Sequence, residues 1–192
     1  MRHRRRGRTL GRCPSHQRAL LKNLASSLIL TERDAEDDDN RPKVKGRIIT
    51  TLQKAKEVRP LVERCITIAR NALPAQQEAE KYGTTAARNS DAWKTWRKSD
   101  KYQQWNKAVA PLVVARRRTL SLLGNKEAVR VLFAQVAPRF IDRPGGYTRV
   151  LRLAKPRLGD AGTRAILEFV GVRDRVRQRS VKPSFDAAKS AV

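Results

Sequence analysis

The sequence predicts an α/β fold of the α+β type, in which a small sheet of about three strands packs with amphipathic helices. Apolar residues recur at helical spacing in four segments, and three shorter runs carry β-branched or alternating apolar residues. Basic residues also crowd both ends of the chain. This third observation adds a basic N-terminal arm and a C-terminal tail to the predicted domain.

The charge of the chain indicates a polyanionic partner. Its 192 residues include 43 Lys and Arg against 18 Asp and Glu, a formal net charge of +25. Such an excess opposes compaction of an isolated protein, whereas a polyanion screens it and gains affinity through counterion release. Arginine dominates the densest clusters, and its two-point geometry on phosphate favours RNA or DNA over an acidic protein. Hydrophobic residues make up 40% of the chain, which is enough for a modest core.

The domain organisation follows from the distribution of this charge. Residues 1–14 contain six arginines, two glycines and no carboxylate, so we expect a basic RNA-binding arm that orders beside phosphates. A nuclear-localisation signal or a generic adhesive tail has the same composition. Residues 15–171 are predicted to form a single globular domain with insertions at 34–46 and 74–111. Residues 172–192 are predicted to be a basic tail.

The first predicted helix follows Pro14, with Ser15 as its N-cap, and ends near Leu30. Its leucines recur at helical spacing and form one apolar stripe. Arg18 and Lys22 lie four residues apart on another face. We therefore expect this helix to bury one side and to offer the other to phosphate.

A strand and a second helix are predicted next. The β-branched run Ile48–Thr51 predicts a short strand, and helical spacing of apolar residues predicts a helix over 52–73. Lys54 and Lys56 lie mostly off its apolar stripe. Pro60 is expected to kink this helix or to begin a second piece.

The segment 74–111 is predicted to be an insertion, because a proline bounds it at each end and its composition is polar. Aromatic residues alternate with basic ones inside it. Two interpretations remain open for these aromatics: they stack on nucleobases, or they anchor a helical excursion against the domain. All three tryptophans of the chain belong to this group: Trp93, Trp96 and Trp105.

The second half of the domain is predicted to contain two more helices and two strands. The first helix covers 112–123 and ends at Gly124, and the second is capped by Asn125 and stopped by Pro138. Two later apolar runs read as an antiparallel hairpin that joins the first strand in one small sheet, with helices on one face. The hairpin strands are placed at 147–153 and 164–170.

A glycine pair between the second helix and the hairpin predicts a tight turn in the sequence Asp142–Arg149, which reads DRPGGYTR. This turn is expected to place Arg143 and Arg149 near one phosphate track. It lacks the Lys-Ser/Thr ending and the strand-to-helix context of a nucleotide-binding loop.

Candidate catalytic and metal-binding groups are few, and we expect no enzyme, cofactor or metal. Cys13 and His16 have Cys-x-x-His spacing, but a zinc site needs two more ligands, and only His3 and Cys65 remain. The acidic run 34–39 lacks the glycine and terminal glutamate of a calcium loop. The sequence shows neither a signal peptide nor a run of the ~18 apolar residues of a membrane span. Free thiols in a reducing compartment are expected.

Several motifs together resemble the L-seventeen family of bacterial large-subunit ribosomal proteins. The opening MRHRRRGRTLGR resembles the family's basic arm, SHQRALLKNLASSLI its first helix, and RIITTLQKAKEVRPLVERCITIAR its strand and second helix. NKEAVRVLFAQVAPRFIDRPGGYTRVLRL and RLGDAGTRAILEFV resemble its C-terminal helix and hairpin. The resemblance covers roughly 1–33, 47–73 and 112–171, and RPGGYTR is its most specific motif. Gln17 replaces an expected base, segments 34–46 and 74–111 are absent from the usual pattern, and the tail is longer than usual.

The resemblance implies a structural constituent of the large ribosomal subunit that binds ribosomal RNA in translation and catalyses nothing. It implies a cytoplasmic, ribosomal location near the peptide exit side. Its expected partners are large-subunit ribosomal RNA and neighbouring large-subunit proteins, with no membrane and no small-molecule substrate. The RNA contacts carried over by position are Arg2, His3, Arg4, Arg5, Arg6, Arg8, Arg12, His16, Arg18, Lys22, Lys54, Lys56, Arg139, Arg143, Tyr147 and Arg149.

Two other functions share parts of this pattern. A free nucleic-acid-binding module of the nucleoid or RNA-chaperone type has the same charge and the same salt-sensitive binding. A nucleic-acid-processing enzyme would use the acidic run to hold a metal ion. The combination of family motifs favours the ribosomal function over both.

Overall fold

A layer of helices packs on a three-stranded sheet in the computed structural model, which describes residues 7–34 and 39–171. A π-helical segment, Leu132–Val136, continues the helix that ends at Val131 into a last short helix that begins at Ala137. The α+β class predicted from the sequence is confirmed. The elements in chain order are α1 Pro14–Leu30, β1 Arg47–Thr51, α2 Leu52–Glu80, α3 Asp91–Lys98, α4 Asp100–Leu123, α5 Lys126–Val131, α6 Ala137–Arg139, β2 Thr148–Arg152 and β3 Arg164–Phe169.

The sheet is antiparallel with the order β1-β3-β2, so the last strand of the chain is central. Residues of β3 alternate between faces, and Ala165, Leu167 and Phe169 are buried on the helical side. On the other face Ile49 is 55% exposed and Leu151 is 43% exposed. The sheet is therefore covered by helices on one face only, as predicted.

The core contains the apolar stripes predicted for the helices. Val62, Cys65 and Ile66 of α2 have no solvent exposure, and Leu28 of α1 and Leu132 of the π-helical segment are equally buried. Each such aliphatic side chain contributes roughly 1.5–3 kcal/mol when it is fully removed from water. Together these stripes hold α1, α2 and the 126–139 helical stretch against the sheet.

Three prolines lie inside helices, which corrects two predicted boundaries. Helix α2 continues through Pro60 and Pro74 to Glu80, and α4 passes through Pro111. An internal proline removes one backbone hydrogen bond. All three rings are exposed, so the carbonyls left without donors lie on the solvent side. Packing of α2 against α4 offsets the cost. The segment 74–111 contains the end of α2, the short helix α3 and the first half of α4.

The predicted end of α4 and start of α5 are present, whereas α1 starts differently and the last helical stretch ends at Arg139, one residue past Pro138. Gly124 ends α4 in the left-handed region with φ 73°, and the Asn125 side chain caps α5 by accepting from the Ala128 amide. Ser15 is not the N-cap of α1, which begins one residue earlier. Pro14 occupies its first turn, where a missing amide hydrogen costs nothing, and Cys13 is the N-cap.

Candidate nucleic-acid interface

A basic groove of about 870 Å³ runs between α2 and the edge strand β2. Four cations line this groove, and Glu63 is the one carboxylate in its lining. An open, cation-rich groove of this kind suits the phosphates of a nucleic acid better than a neutral small molecule. The cations are Lys56 and Arg59 from α2 and Arg149 and Arg152 from β2.

Helical spacing brings the α2 side chains of the groove together. Lys56, Arg59 and Glu63 follow one another by three and four residues, so they occupy one side of the helix. Val58 and Val62 lie on the opposite side and are fully buried. The burial of that apolar side fixes the rotation of α2 and turns its basic side toward the groove.

Glu63 holds the start of β2 against α2. Its carboxylate accepts hydrogen bonds from the Tyr147 amide at 3.1 Å, the Thr148 amide at 2.9 Å and the Thr148 hydroxyl at 2.6 Å. Arg59 lies 3.7 Å from the same carboxylate. Three donors of the chain hold Glu63 in place, and the groove keeps an excess of cations because four of them face this one carboxylate.

A second contact from α2 fixes the glycine turn that precedes β2. Arg70 donates from Nη1 to the Arg143 carbonyl at 2.6 Å, and the Arg143 Nε donates to the Gly145 carbonyl at 3.3 Å. Gly146 has φ 65°, a conformation that a side chain would strain. The predicted tight turn is therefore present, and α2 holds it at both ends.

The described end of the N-terminal arm is attached to α2. The Arg8 amide donates to Glu57 Oε1 at 3.1 Å, and its guanidinium lies 3.9 Å from the same carboxylate. Arg12 donates from Nη1 to His16 Nε2 at 2.7 Å, at the start of α1. Glu57 is the neighbour of Lys56 in the sequence, so the arm enters the fold beside one of the groove cations.

The other predicted contacts differ in exposure. Arg18 is exposed, and Lys22 and Lys54 are half-buried. Arg139 forms a 3.1 Å ion pair with Glu32, and its side chain is only 30% exposed. Its guanidinium also lies over the rings of Phe140 and Phe169. Much of the Arg139 side chain thus serves packing within the protein.

Tyr147, which is also a predicted contact, is buried in the structure. Its residue exposure is 1%, and its ring packs against Phe140 at a centroid distance of 5.1 Å. A side chain enclosed in the core cannot reach a nucleobase without unfolding the start of β2. Tyr147 therefore supports the turn from inside.

The thiols and carboxylates in the described part of the chain do not form a metal site. Among residues 7–34 and 39–171, no three His, Cys, Asp or Glu side chains come together as metal ligands. Cys65 lies in the core, where burial raises the pKa of its thiol to about 12. Cys13 is exposed, and a hydrogen bond with Ser15 lowers the pKa of its thiol. Within the described part of the chain, no helix has the length and apolarity to span a membrane.

Comparison with known proteins identifies the family. The model of the ribosomal protein L17 family matches residues 20–170. A large ribosomal subunit protein bL17 of Rhodopirellula baltica is 64% identical over 97% of this chain and 89% of the relative. The chain belongs to the ribosomal protein L17 family. Proteins of the same name from Nitratidesulfovibrio vulgaris and Thermomicrobium roseum are 35% and 34% identical over 88% of the chain, covering 87% and 99% of those relatives. Membership in this family makes the chain a structural protein and not an enzyme.

Two groove cations of this L17-family chain were missed by sequence reasoning. Arg59 follows Lys56 by three residues, and this helical spacing was a usable signal. Arg152 gave no comparable signal, because alternation along β2 assigns it to the face opposite Arg149. Its place at the end of the strand beside α2 brings it into the groove.

Some predicted features of this L17-family chain lie outside the described residues. They include most of the acidic run at 34–39 and the tail at 172–192. The five contacts predicted at the start of the arm also lie there: Arg2, His3, Arg4, Arg5 and Arg6.

The aromatic residues of the predicted insertion contact one another. The centroid of the Trp96 ring lies 5.1 Å from that of Tyr102 and 5.6 Å from that of Trp105, and both pairs are edge to face. Tyr102 and Trp105 stack at 5.9 Å, and Trp96 Nε1 donates to the Tyr82 carbonyl at 3.0 Å. These contacts fit the packing interpretation of the two that the sequence left open.

Proposed function

We propose that this member of the ribosomal protein L17 family is a structural constituent of the large subunit of the cytoplasmic ribosome and binds ribosomal RNA there during translation. The observation that carries the proposal is the 64% identity to a large ribosomal subunit protein over 97% of this chain. The role requires a shaped basic surface and no reacting group. The groove between α2 and β2 supplies such a surface.

The proposed principal RNA contact is this groove. Lys56, Arg59 and Arg152 are exposed or half-exposed cations on two rigid elements, so they approach phosphates without losing further backbone freedom. Guanidinium groups bind phosphate oxygens in pairs and add geometric preference to charge. The groove therefore supports recognition of the shape of an RNA backbone more than of its sequence.

The glycine turn is proposed to present Arg143 and Arg149 along the same surface. The hydrogen bonds from Tyr147 and Thr148 to Glu63 and from Arg70 to the Arg143 carbonyl form before RNA arrives. This preorganisation reduces the ordering cost of binding. Family position and charge support the remaining contacts, which are Arg2, His3, Arg4, Arg5, Arg6, Arg8, Arg12, His16, Arg18, Lys22, Lys54 and Arg139.

The N-terminal arm, the globular domain over 15–171 and the tail over 172–192 are proposed as three functional parts of the chain. The arm and the tail add charge that RNA neutralises, whereas the domain sets the orientation. Neighbouring large-subunit proteins are the proposed further partners. No small-molecule substrate is proposed.

Sedimentation tests the assignment. A tagged copy of the full chain is expected to co-migrate with large subunits in a sucrose gradient and to stay with them through a high-salt wash, because many buried phosphate contacts dissociate slowly. Release at moderate salt, or migration at the top of the gradient, would identify a loosely bound module of the RNA-chaperone type instead.

A charge variant tests the groove. The groove variant carries Lys56→Gln, Arg59→Gln and Arg152→Gln, and its binding to large-subunit RNA is measured at several salt concentrations. The slope of log K against log salt is expected to become less steep by roughly 2 to 3, because up to three phosphate contacts are lost. The control carries Lys43→Gln, Lys126→Gln and Lys155→Gln, which make the same change in net charge at exposed lysines outside the groove. An equal effect of both variants would assign binding to net charge alone.

A further inference from the structure

The short helix α3 separates aromatic from basic side chains. Ser90 caps it by accepting from the Trp93 amide at 3.2 Å, which fixes where the helix starts. Trp93 and Trp96 are half-buried, while Lys94 and Lys98 are exposed. At 100° per residue the two tryptophans lie on one side of the helix and the lysines on the other. The helix is strongly amphipathic, although none of its residues is fully buried.

The aromatic side of this segment is already occupied by the protein. Trp96 contacts Tyr102 and Trp105, and its indole nitrogen donates to the Tyr82 carbonyl. The guanidinium of Arg97 lies 5.0 Å from the centre of the Trp93 ring. Rings engaged in this way provide stiffness to the segment. They are poorly placed to serve as a stacking platform for bases, which needs an open ring face.

The basic side of the segment is exposed. Residues 81–110 contain seven Lys and Arg against two Asp, a net charge of +5, and all seven cations are exposed. Among the described residues, Lys94 is the one of these cations with a carboxylate within ion-pair distance, at 3.0 Å from Asp91. That pair is itself exposed, so a competing anion displaces it at little cost.

We propose that the basic side of residues 81–110 is a second RNA-binding site, which contacts the sugar–phosphate backbone and does not stack on bases. The inference rests on the function proposed above and assigns a role to a segment outside the sequence motifs that carry the family resemblance. The aromatic cluster acts as the support that holds α3 rigid. Lys94, Lys98 and Lys101 supply the phosphate contacts, and Arg97 is positioned by Trp93.

An RNA partner fits this surface better than a protein partner. The exposed residues of α3 on its basic side are polar or charged, and Ala92 is the one exposed apolar residue of that helix. A protein interface of useful affinity places apolar or aromatic anchors at its centre. A surface of exposed ammonium and guanidinium groups instead suits repeated phosphates.

The test uses the full chain with Lys94→Gln, Lys98→Gln and Lys101→Gln, beside the matched control with Lys43→Gln, Lys126→Gln and Lys155→Gln. Large-subunit RNA is the probe, and binding is measured across a range of salt concentrations. The first variant is expected to lower the slope of log K against log salt by roughly 2 to 3, with a smaller change in the control. In large subunits assembled with the variant, hydroxyl-radical protection of one RNA segment is expected to be lost.

The tryptophans report independently on the same segment, because Trp93, Trp96 and Trp105 are the only three in the chain. Unchanged emission of the free variant would show that the segment is still folded. Titration of the unmodified chain with RNA is expected to leave most of the emission intact. Strong quenching would mean that bases stack on the rings, and this would overturn the backbone-only assignment.

The remaining outcomes also decide the proposal. Incorporation of the variant with unchanged RNA protection would overturn it and would favour a protein neighbour at this surface. Equal changes of the salt slope in the variant and the control would contradict the proposal, because binding would then depend on net charge alone. Failure of the unmodified chain to enter large subunits is a different result, and it would contradict the proposed function itself.

Discussion

Glu63 shows how one side chain links the fold of this protein to its basic groove. Its carboxylate lies on the basic side of α2, yet three hydrogen-bond donors at the start of β2 occupy it. The amides of Tyr147 and Thr148 belong to residues that are 1% exposed. Without the carboxylate, these donors would lose their partner in a place where water has little access.

Replacement of Glu63 by alanine is therefore expected to destabilise the protein. Loss of a charged acceptor from two buried amides and a hydroxyl is expected to lower the free energy of unfolding by about 2–4 kcal/mol. Urea unfolding, monitored by circular dichroism, measures this free energy. Glu78→Ala on the exposed side of the same helix is the control, with an expected change within about 0.5 kcal/mol. Equal losses in the two variants would argue against the role of Glu63.

The two cysteines differ in environment, and their reactivity is expected to differ accordingly. The thiolate is the reactive form. The Cys13 thiol is exposed with a lowered pKa, whereas burial raises the pKa of Cys65 to about 12. Ellman's reagent near neutral pH is expected to label one thiol per native chain rapidly and the second only after denaturation. Rapid labelling of a Cys13→Ser variant would show that the core around Cys65 opens.

The long helices show where tertiary contacts override local signals. Three internal prolines predict helix boundaries, yet α2 and α4 continue through them. Each proline removes one hydrogen bond on an exposed side of its helix. The buried sides of α2 and α4 stay packed against each other. Local propensity is worth a few kcal/mol at most here, and packing along many turns exceeds it.

At this scale, Trp96→Ala is expected to unfold the 81–110 segment while the rest of the domain stays folded. The substitution removes two aromatic contacts, each worth about 0.5–1.5 kcal/mol, and the hydrogen bond to the Tyr82 carbonyl. Limited trypsin digestion with mass spectrometry is expected to show new cleavage after Lys94 and Lys98. Trp93→Ala, which removes a ring in contact with Arg97, is the control. Equal cleavage in the control would mean that the ring cluster is not the support of the segment.

Charge is the property of the whole molecule that most affects its behaviour. The chain carries a net charge of +25 on 192 residues. Folding brings these like charges closer together, which increases the repulsion between them. The ion pairs within the described residues, such as Arg139 with Glu32, offset only a part of it. An RNA partner removes the repulsion and converts it into binding free energy through counterion release.

The isolated chain is therefore expected to melt at a higher temperature as salt increases. Screening shortens the Debye length from about 30 Å at 0.01 M to about 10 Å at 0.1 M, which weakens repulsion across the molecule more than it weakens close ion pairs. Differential scanning calorimetry at several NaCl concentrations measures the shift. A melting temperature that falls with salt would show that attractive ion pairs dominate. Added large-subunit RNA is expected to raise it further at constant salt.

The sequence by itself determined the class of the fold, the apolar stripes of the helices, the three strands and the RPGGYTR turn. These features depend on local spacing: one side of a helix repeats every 3.6 residues, one face of a strand every two, and a turn needs glycine at a positive φ. Family resemblance in the motifs added the ribosomal assignment, and the match over residues 20–170 confirmed it.

Only the tertiary structure decided which of the cations share a groove and which residues merely support it. Arg152 lines the groove because β2 ends beside α2. Tyr147 is buried because its ring packs against Phe140. The order β1-β3-β2 likewise places distant parts of the chain side by side. Such contacts join residues far apart in the sequence. Their geometry follows from packing of the whole core, which no local pattern encodes.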